Sequence, residues 1–538
     1  MQSRGSSPRQ RFGKRNGSDP DSNKSAGING HTFDSLETYT VEDAIESIGF
    51  GWFQIKIFVV GKLIAAADAM EMMMLAVLSP LVRCEWQLED YKVAFITTAV
   101  FIGMGVSAPL LGIMGDNYGR KTTLVMITLW IGFFGFLTTF SPSFAWILIL
   151  RGLVGFGMGG SPQGFSLNAE YVPSKYRAKL LVFGTIFWTM GGVFEIVLAM
   201  IVVPTLGWRW LLALSAIPVL IACVGLIFIP ESARFLVAAG YIDDALIILE
   251  RAAKINHSKL PEGKLVQSQN VALGRLKDVF SREYLRSTLQ LWLLWFGVAF
   301  TYYGMVLAST EVLRIRNEEK SSKCKCTYLT TDDYVTMVLS SLGELLSLPI
   351  NFLLIDRIGR RFTGAMCYFA SGFFFVLIQL QVNLGVLTML MFFVRGFSSA
   401  TFNFVYIYSS ELYPTSIRTL SMGMASAMAR VGAMVTPFVA QVLLSHSIAT
   451  ATWVYGGLCI ICSICCLLLP IETKGRALPQ SLSCEPSDSI ELSETSSQYH
   501  ESDPDGTVST IEQEKNNLRA RKKKEKEWER WGGGESES

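Results

Sequence analysis

Charged side chains stand inside long apolar stretches of this chain, and they are the residues best placed to do chemistry. A charge at the centre of a bilayer costs about 2.5–3.5 kcal/mol on insertion scales, so each one needs a partner, a water-filled cavity or a function. Asp68 and Glu71 are three residues apart and flank one helical face. A carboxylate beside an arginine stays ionised, whereas a carboxylate left alone in an apolar interior takes up a proton. The residues of this kind are Asp68, Glu71, Arg151, Glu195, Glu344 and Arg430.

Each of these charges has two interpretations that the sequence leaves open. The carboxylates either bind a solute or a coupling ion, or they form static ion pairs or line the wall of a water-filled cavity. Arg430 either binds a carboxylate, sulfate or phosphate group of a substrate through its guanidinium N–H donors, or it pairs permanently with Glu344 or Glu195. Tyr302 and Tyr303 lie in an apolar run. Their polar tips either orient a ligand in an apolar cavity or serve ordinary packing.

The elements that position these residues are predicted to be membrane-spanning helices. Half of the 538 residues are hydrophobic and only 17% are charged, against about 25% in a soluble protein. Apolar stretches of about 20 residues recur, and this length crosses a bilayer core of roughly 30 Å. The predicted spans are 57–81, 93–114, 122–140, 145–168, 179–203, 209–229, 287–308, 334–355, 363–381, 386–408, 419–444 and 449–470. The fold class is therefore an all-α polytopic membrane protein with twelve transmembrane helices.

Lysine and arginine in the short loops predict the orientation of the chain. Arg120 and Arg360 lie in loops on one side, whereas the alternate loops at 141–144 and 382–385 carry no charge. An even number of spans then places both termini in the cytosol. The predicted domains are a disordered basic tail with a short amphipathic segment at 1–54, an N-terminal six-helix half at 55–229, a cytosolic linker at 230–286, a C-terminal six-helix half at 287–470, and a disordered cytosolic tail at 471–538.

Four motifs occur twice, about 240 residues apart, so the two halves are predicted to be homologous. The motif GDNYGRK around Asp116 returns as IDRIGRR around Asp356, and PESARFL returns as PIETKGR. Internal repeats are typical of transporters whose substrate site lies between the halves near mid-membrane. The matching pairs are Asp116 and Asp356, Arg151 and Arg395, Glu170 and Glu411, and Glu231 and Glu472.

These motifs resemble those of the major facilitator superfamily. GIMGDNYGRK at 112–121 resembles its loop motif, and PESARFL at 230–236 resembles the segment that closes a half in its sugar-porter and organic-ion-transporter branches. From about 40 to 478 the chain is similar to the synaptic-vesicle-glycoprotein-2-related group, through VEDAIESIGFG at 41–51 and DAMEMM at 68–73. The resemblance implies a major facilitator fold, a transporter of undefined substrate, and a vesicle membrane as one location.

The resemblance also implies roles for two membrane charges. In proton-coupled sugar porters an acidic residue of the first helix faces the arginine of the fourth, and Asp68 and Arg151 match those positions. MARVGAMVTPF at 428–438 resembles a segment of organic anion transporters that carries an arginine favouring anionic substrates. Arg430 occupies that position.

A set of charges at the cytosolic ends of the spans is predicted to act as a conformational latch. In the family, such charges pair across the halves when the transporter faces outward. A network of exposed pairs can tip a two-state balance even though each pair is worth only about 0.2–1 kcal/mol. The alternative is that these charges only reflect the excess of lysine and arginine found in cytosolic loops. That alternative explains the basic residues of the set but not its acidic residues. The set is Asp116, Arg120, Glu170, Arg177, Glu231, Asp356, Arg360, Arg361, Glu411, Arg418 and Glu472.

The sequence therefore predicts a transporter of a small organic anion or zwitterion that works by alternating access, with proton coupling left open. Two alternatives stay open: a facilitative carrier of organic cations, and a vesicle receptor or scaffold that does not transport. No nucleophile, metal-ligand set or phosphate loop favours an enzyme. We expect no cofactor, no metal and no nucleic-acid partner. The chain is expected to be a monomer in the lipid bilayer of a vesicle or the plasma membrane.

Overall fold

Helices form almost all of the protein in the computed structural model, which describes residues 38–267, 276–320, 329–380 and 382–474. In the first half, a short strand β1 and a helix α1 precede the spans. The bounds are β1 Thr38–Tyr39, α1 Val41–Ile48, α2 Trp52–Trp86, α3 Asp90–Tyr118, α4 Arg120–Thr138, α5 Phe144–Met158, α6 Pro162–Tyr171, α7 Ser174–Leu206 and α8 Trp208–Ile227. Helices α5 and α6 together make one span, Phe144–Tyr171.

The segment between the halves contains short elements, and the second half repeats the first. The connecting elements are α9 Ala233–Ala238, α10 Ile242–Ile255, β2 Lys264–Leu265 and α11 Leu276–Val279. The spans that follow are α12 Arg282–Lys320, α13 Thr331–Leu342 continuing through a 3₁₀ turn into α14 Ser347–Ile358, α15 Arg360–Leu377, α16 Leu384–Leu412, α17 Thr415–Pro437 continuing through a π-helical stretch into α18 Leu444–His446, and α19 Ile448–Leu467.

Every one of the twelve predicted apolar stretches falls on one of these long helices. In lipid a helix satisfies all of its own backbone groups, so apolar stretches of this length fold as helices. Ten of the described helices are long and apolar enough to cross a membrane. The other two predicted spans lie on α2, which packs on α7 and α8, and on α15, which packs on α16 and α19.

Glycine ends the second span of each half at the same point of the repeat. Gly119 (φ +99°) separates α3 from α4, and Gly359 (φ +100°) separates α14 from α15. This left-handed backbone region is accessible to glycine at little steric cost, so the chain reverses there within one residue. We call the end of the bundle that carries these two turns the motif end, and the opposite end the far end.

Residues 38–54 and 230–267 fold together at the motif end. The helix α1 lies where a short amphipathic segment is predicted within 1–54, and residues 1–37 of the predicted tail lie outside the described residues. β1 pairs with β2 in parallel, Thr38 against Lys264 and Tyr39 against Leu265. α1 packs on α10 through one buried cluster that also includes Leu226 at the end of α8. The Thr40 side chain caps α1. The predicted tail at 471–538 lies outside the described residues from 475 onward.

Candidate functional site

A cavity of about 340 Å³ lies between the two halves. Helices α2, α5, α6 and α7 form one wall, and α12, α16 and α17 form the other. Its lining residues come from the motif-end portions of these helices, while residues 67–82 of α2, toward the far end, are buried in protein. The wall is mostly apolar and rich in aromatic rings. Its aromatic and charged members are Lys62, Asp68, Phe165, Trp188, Trp295, Tyr302, Tyr303, Phe402, Tyr406 and Arg430.

Asp68 and Arg430 face this cavity from opposite halves. Among the described residues neither has a salt-bridge partner within 4 Å, although the two charges lie near each other. The Arg430 Nε is buried and has no hydrogen-bond partner among the described groups. Glu344 and Glu195 both bond other side chains, so a permanent pair of Arg430 with either carboxylate is wrong for this structure.

The arginine of the fourth span pairs with Glu71 and not with Asp68. Arg151 Nη1 lies 2.7 Å from Glu71 Oε2, and the two side chains are 0% and 3% exposed. The expected pairing of Asp68 with Arg151 is wrong because the two residues lie at different depths. Asp68 shares the cavity wall with Met158 and Ser161, which lie about 10–15 Å along the axis from Arg151 at 1.5 Å per residue.

Glu195 is completely buried beside this pair and is bonded to Ser215 of α8. The Ser215 hydroxyl lies 2.9 Å from both carboxyl oxygens of Glu195, and it also lies 2.8 Å from the Leu211 carbonyl oxygen. Glu71 and Arg151 are the charged groups that act electrostatically on Glu195. The pocket therefore places two carboxyl groups around one guanidinium.

Glu344 is held in a buried network that joins the halves. Arg395 Nη2 donates to Glu344 Oε1 at 2.7 Å, and the Tyr302 hydroxyl donates to the same oxygen at 2.9 Å. From the first half, Thr189 donates to Glu344 Oε2 at 3.2 Å, and Trp188 Nε1 donates to the Tyr302 hydroxyl at 2.6 Å. The Tyr302 hydroxyl therefore makes both of its hydrogen bonds within this network.

The second tyrosine of the pair also lines the cavity and lies outside the Glu344 network. Tyr303 lines the cavity, and its ring centroid lies 5.0 Å from that of Phe101 in α3.

Sequence reasoning missed Arg395 and Lys62 as members of the site. Arg395 could have been found, because it matches Arg151 in the internal repeat, and the structure gives both arginines a buried carboxylate. Lys62 lies near the start of the first span, where a lysine is ordinarily assigned to the membrane interface. Only the packing of α2 against α6 and α7 places it on the cavity wall.

The predicted latch charges pair within each half in this structure. Arg120 contacts Asp116 at 2.6 Å and Glu170 at 3.5 Å. In the second half, Arg360 makes the equivalent contacts with Asp356 and Glu411, both at 3.0 Å. No salt bridge among the described members of this set crosses between the halves.

Two further acids of the set act on helix N-termini. Glu231 accepts hydrogen bonds from the backbone N–H groups of Lys121 and Thr122, at 2.9 and 3.3 Å. Glu472 accepts from those of Arg360 and Arg361, at 2.8 and 3.0 Å. A carboxylate at a helix N-terminus satisfies orphan donors and the helix dipole. Of the remaining arginines, Arg361 donates to the Leu467 carbonyl, Arg177 to the Val172 carbonyl and Arg418 to the Tyr413 carbonyl.

The far end holds contacts that do cross between the halves. Arg83 of α2 lies 2.7 Å from Glu311 of α12, with side chains 11% and 2% exposed. The Gln441 amide donates to Ser79 at 2.8 Å, and Ser445 donates to Asp90 at 2.5 Å. These contacts close the far end over the cavity.

The chain matches a known family over most of its length. The family described as Sugar (and other) transporter matches residues 73–481. The chain is 45% identical over 455 residues to the Synaptic vesicle 2-related protein of Xenopus laevis and 44% identical over 455 residues to that of Bos taurus, with 83% of each chain covered in both cases.

Solved structures share the fold at lower identity. A partially occluded inward-open conformation of the xylose transporter XylE from E. coli aligns with a TM-score of 0.63 and 16% identity, over 80% of this chain and 100% of that one. An inward-open conformation of the same transporter aligns with a TM-score of 0.61 and 16% identity, over 79% and 98%. Together with the match to the family and to the vesicle 2-related proteins, this shows that the chain belongs to the sugar transporter family of the major facilitator superfamily and is a multi-pass membrane transporter.

Proposed function

We propose that the protein carries a small organic anion or zwitterion across its membrane by alternating access, with Arg430 as the group that binds the negative charge. The observation that supports this is a guanidinium on the wall of an apolar, aromatic cavity with no carboxylate in salt-bridge contact among the described residues. A cation in a low-dielectric cavity without a fixed partner favours an anionic ligand. Apolar walls with few polar groups are typical of organic-solute sites.

The disposition of the carboxylates disfavours the carrier of organic cations. Of the four membrane carboxylates that the sequence offers, Glu71 and Glu344 are neutralised by buried arginines. Glu195 is bonded to Ser215 away from the cavity. Asp68 is the one acid among the described lining residues, and two cations, Lys62 and Arg430, line the same cavity.

The pairing of the charges supports alternating access and an inward-facing state. The salt bridge between the halves lies at the far end, whereas the motif-end charges pair within halves. The cavity is therefore reached from the motif end. With that end in the cytosol, as the loop arginines favour, the structure is inward-facing, and both termini are cytosolic. A vesicle membrane is the location that the names of the relatives favour.

Hydrogen bonding supports a proton as the coupled ion. The Ser215 hydroxyl has one proton, and it contacts both the Leu211 carbonyl and Glu195. If the proton goes to the carbonyl, a carboxylate oxygen and the hydroxyl oxygen would face each other without a hydrogen atom unless Glu195 itself is protonated. We propose that Glu195 is protonated in this arrangement and holds the coupled proton.

Asp68 couples that proton chemistry to the solute. Its nearest charges are Glu71 and Arg430. The positive charge of Arg430 favours the ionised form of Asp68. When a solute anion binds Arg430, it neutralises that positive charge, so Asp68 then binds a proton. Anion and proton therefore travel together, and the pair is released when the cavity opens to the other side.

Uptake into proteoliposomes tests this function. Purified protein is offered a pool of labelled organic anions, cations and neutral solutes with an inward proton gradient. We expect gradient-driven accumulation of anions or zwitterions, loss of anion uptake in Arg430→Ala, and loss of gradient dependence in Asp68→Asn. Arg251→Ala, an exposed arginine of α10, serves as the control and is expected to behave as wild type.

Two results would overturn the proposal. Accumulation of cations that survives Arg430→Ala would favour the organic-cation carrier. Folded wild-type protein that moves nothing from the pool would favour the receptor or scaffold.

A further inference from the structure

Lys62 is a second cation on the cavity wall, and its surroundings hold it there. Its Nζ lies 5.6 Å from the ring centroid of Phe58 and 5.7 Å from that of Phe165. Rings at this distance attract an ammonium through their negative faces. Among the described residues no carboxylate lies within salt-bridge distance of Lys62. Cation–π contacts position the charge but leave it without an anionic partner.

A glycine completes the slot in which Lys62 lies. A Cβ added at Gly184 of α7 would stand 2.5 Å from the Lys62 Nζ and 2.7 Å from its Cε. The lysine side chain therefore lies directly against the α7 backbone, between two rings. This packing fixes the ammonium on the wall instead of leaving it to extend into solvent at the mouth.

Lys62 and Arg430 act at different depths of the same cavity. Lys62 precedes Asp68 by six residues on α2, which separates their Cα atoms by about 9 Å along the helix axis. Asp68 lies near Arg430. Since α2 begins at the motif end, Lys62 lies closer to that end than Asp68 and Arg430 do. The aromatic side chains of Trp188, Trp295 and Phe402 line the space shared by these levels.

We propose that Lys62 and Arg430 bind the two ends of one substrate, an organic dianion with an apolar or aromatic body. This inference rests on the proposed anion transport and names its substrate class. Two cations and one acid line the cavity. When Asp68 is protonated, a monoanion leaves one cation without compensation in an apolar site, whereas a dianion compensates both. The cavity volume of about 340 Å³ suits a compact body of this kind.

Binding of matched acids to the purified full-length protein tests this inference. The probes are radiolabelled terephthalate and naphthalene-2,6-dicarboxylate, each compared with its monoacid, benzoate or 2-naphthoate, by equilibrium dialysis. We expect wild type to bind the diacids about tenfold more tightly than the monoacids, since a second charge-assisted contact is gained. Lys62→Met is expected to remove this preference, so that the ratio of diacid to monoacid affinity falls to near unity. Lys62→Arg retains the preference.

Gly184→Ala provides a variant that keeps the charge but displaces it. The added methyl group would lie 2.5 Å from the Lys62 Nζ, so the ammonium must move and the ratio of diacid to monoacid affinity is expected to fall. Thermal unfolding of each variant identifies any variant that fails to fold. If Lys62→Met fails to fold, the comparison of Lys62→Arg with Gly184→Ala still tests whether the diacid preference depends on the position of the cation.

The outcomes separate this inference from the function on which it rests. Equal affinity of wild type for diacids and monoacids, with monoacid binding lost in Arg430→Ala, overturns the dianion inference alone. Absence of binding by every acid, or binding that does not depend on Arg430, overturns the proposed anion site as well.

Discussion

The two buried arginines of the repeat show how single residues stabilise the centre of each half. Arg151 pairs with Glu71, and Arg395 pairs with Glu344, in both cases at 2.7 Å and below 5% exposure. Each pair is neutral as a unit, so it tolerates an apolar environment that neither charge tolerates alone. Removal of one partner of such a pair costs about 3–5 kcal/mol, because the other charge stays buried without compensation.

A double substitution in the first half tests this account. Arg151→Leu alone is expected to lower the free energy of unfolding by about 3–5 kcal/mol, and Glu71→Leu together with Arg151→Leu by clearly less, because no charge is left stranded. Unfolding in detergent measures both. The matched control is Arg209→Leu, which breaks a pair with 42% and 37% exposed side chains and is expected to cost less than about 1 kcal/mol. Equal losses in the single and double variants would contradict the account.

At the scale of elements, glycines decide how closely the helices of the first half approach. A Cβ added at Gly155 of α5 would lie 2.1 Å from the Val100 carbonyl oxygen of α3, and one at Gly103 of α3 would lie 2.3 Å from the Gly152 carbonyl oxygen. Neither neighbour is a flexible side chain, so the backbones themselves are in contact. Membrane helices use small residues for this purpose, because lipid supplies no hydrophobic force between them.

Gly155→Ala is expected to destabilise the protein by pushing α3 and α5 apart. The control is Gly457→Ala on α19, where an added Cβ meets no atom within 4 Å. Both changes improve helix propensity by about 1 kcal/mol, so the difference in thermal unfolding between the two variants isolates the steric contact. Equal unfolding temperatures for the two variants would show that α3 and α5 do not pack as closely as described.

The docking of α1 on the spans depends on a carboxylate and is expected to depend on pH. Glu46 accepts a hydrogen bond from the Ser174 backbone N–H at 2.7 Å. This bond lowers the pKa of Glu46 below its ordinary 4.5. A lowered pKa in the folded state gives stability that is present above the unfolded pKa and is lost as pH falls through the folded pKa.

Hydrogen exchange of residues 41–48 measures this dependence. Protection is expected to be constant above about pH 5 and to decrease as pH falls below the ordinary carboxyl pKa of about 4.5. Glu46→Gln is expected to show weaker protection than wild type above about pH 5, and this difference is expected to disappear as pH falls through the folded pKa of Glu46. The control is Glu42→Gln, which leaves the Ser174 contact intact. Protection that is independent of pH in wild type would exclude a role for the Glu46 charge.

At the scale of the whole molecule, the distribution of contacts between halves sets the conformational balance. Arg83 and Glu311 join the halves at the far end and are nearly buried. Glu311 also contacts Arg314, and Arg83 also contacts Asp90 at 3.2 Å. In the alternative state the contact between Arg83 and Glu311 must break, and the motif-end charges become free to pair across the halves. A shift of a few kcal/mol moves such an equilibrium from one state to the other.

Loss of the far-end contact is expected to open that end. Glu311→Gln weakens the salt bridge, and spin labels at Ser143 and Ala449, both exposed at the far end in opposite halves, report the separation by pulsed electron resonance. We expect a longer distance to become populated. Glu89→Gln, which removes an exposed charge of the same end that pairs only with Lys92 in its own half among the described residues, is the control. An unchanged distance distribution in Glu311→Gln would mean that other contacts hold the halves together.

The sequence by itself determined the helices, the two halves and the residue types of the site. The length of each apolar stretch identifies a membrane span, because an apolar segment of about 20 residues crosses the bilayer core as a helix that satisfies its own backbone hydrogen bonds. The offset of about 240 residues sets the repeat. Asp68 and Arg430 could be identified as candidates because isolated charges are costly in lipid, and both line the cavity.

Only the tertiary structure decided which charges neutralise each other and which face the cavity. Glu71 rather than Asp68 meets Arg151, because depth along packed helices selects the partner and sequence spacing does not contain that depth. Lys62 joins the site because two rings and Gly184 form a slot for it from three separate helices. Residues 38–54 belong to the folded body because their apolar face finds α10, about 200 residues later in the chain. Pairing and burial are properties of contacts between distant segments, and those contacts exist only once the helices have packed.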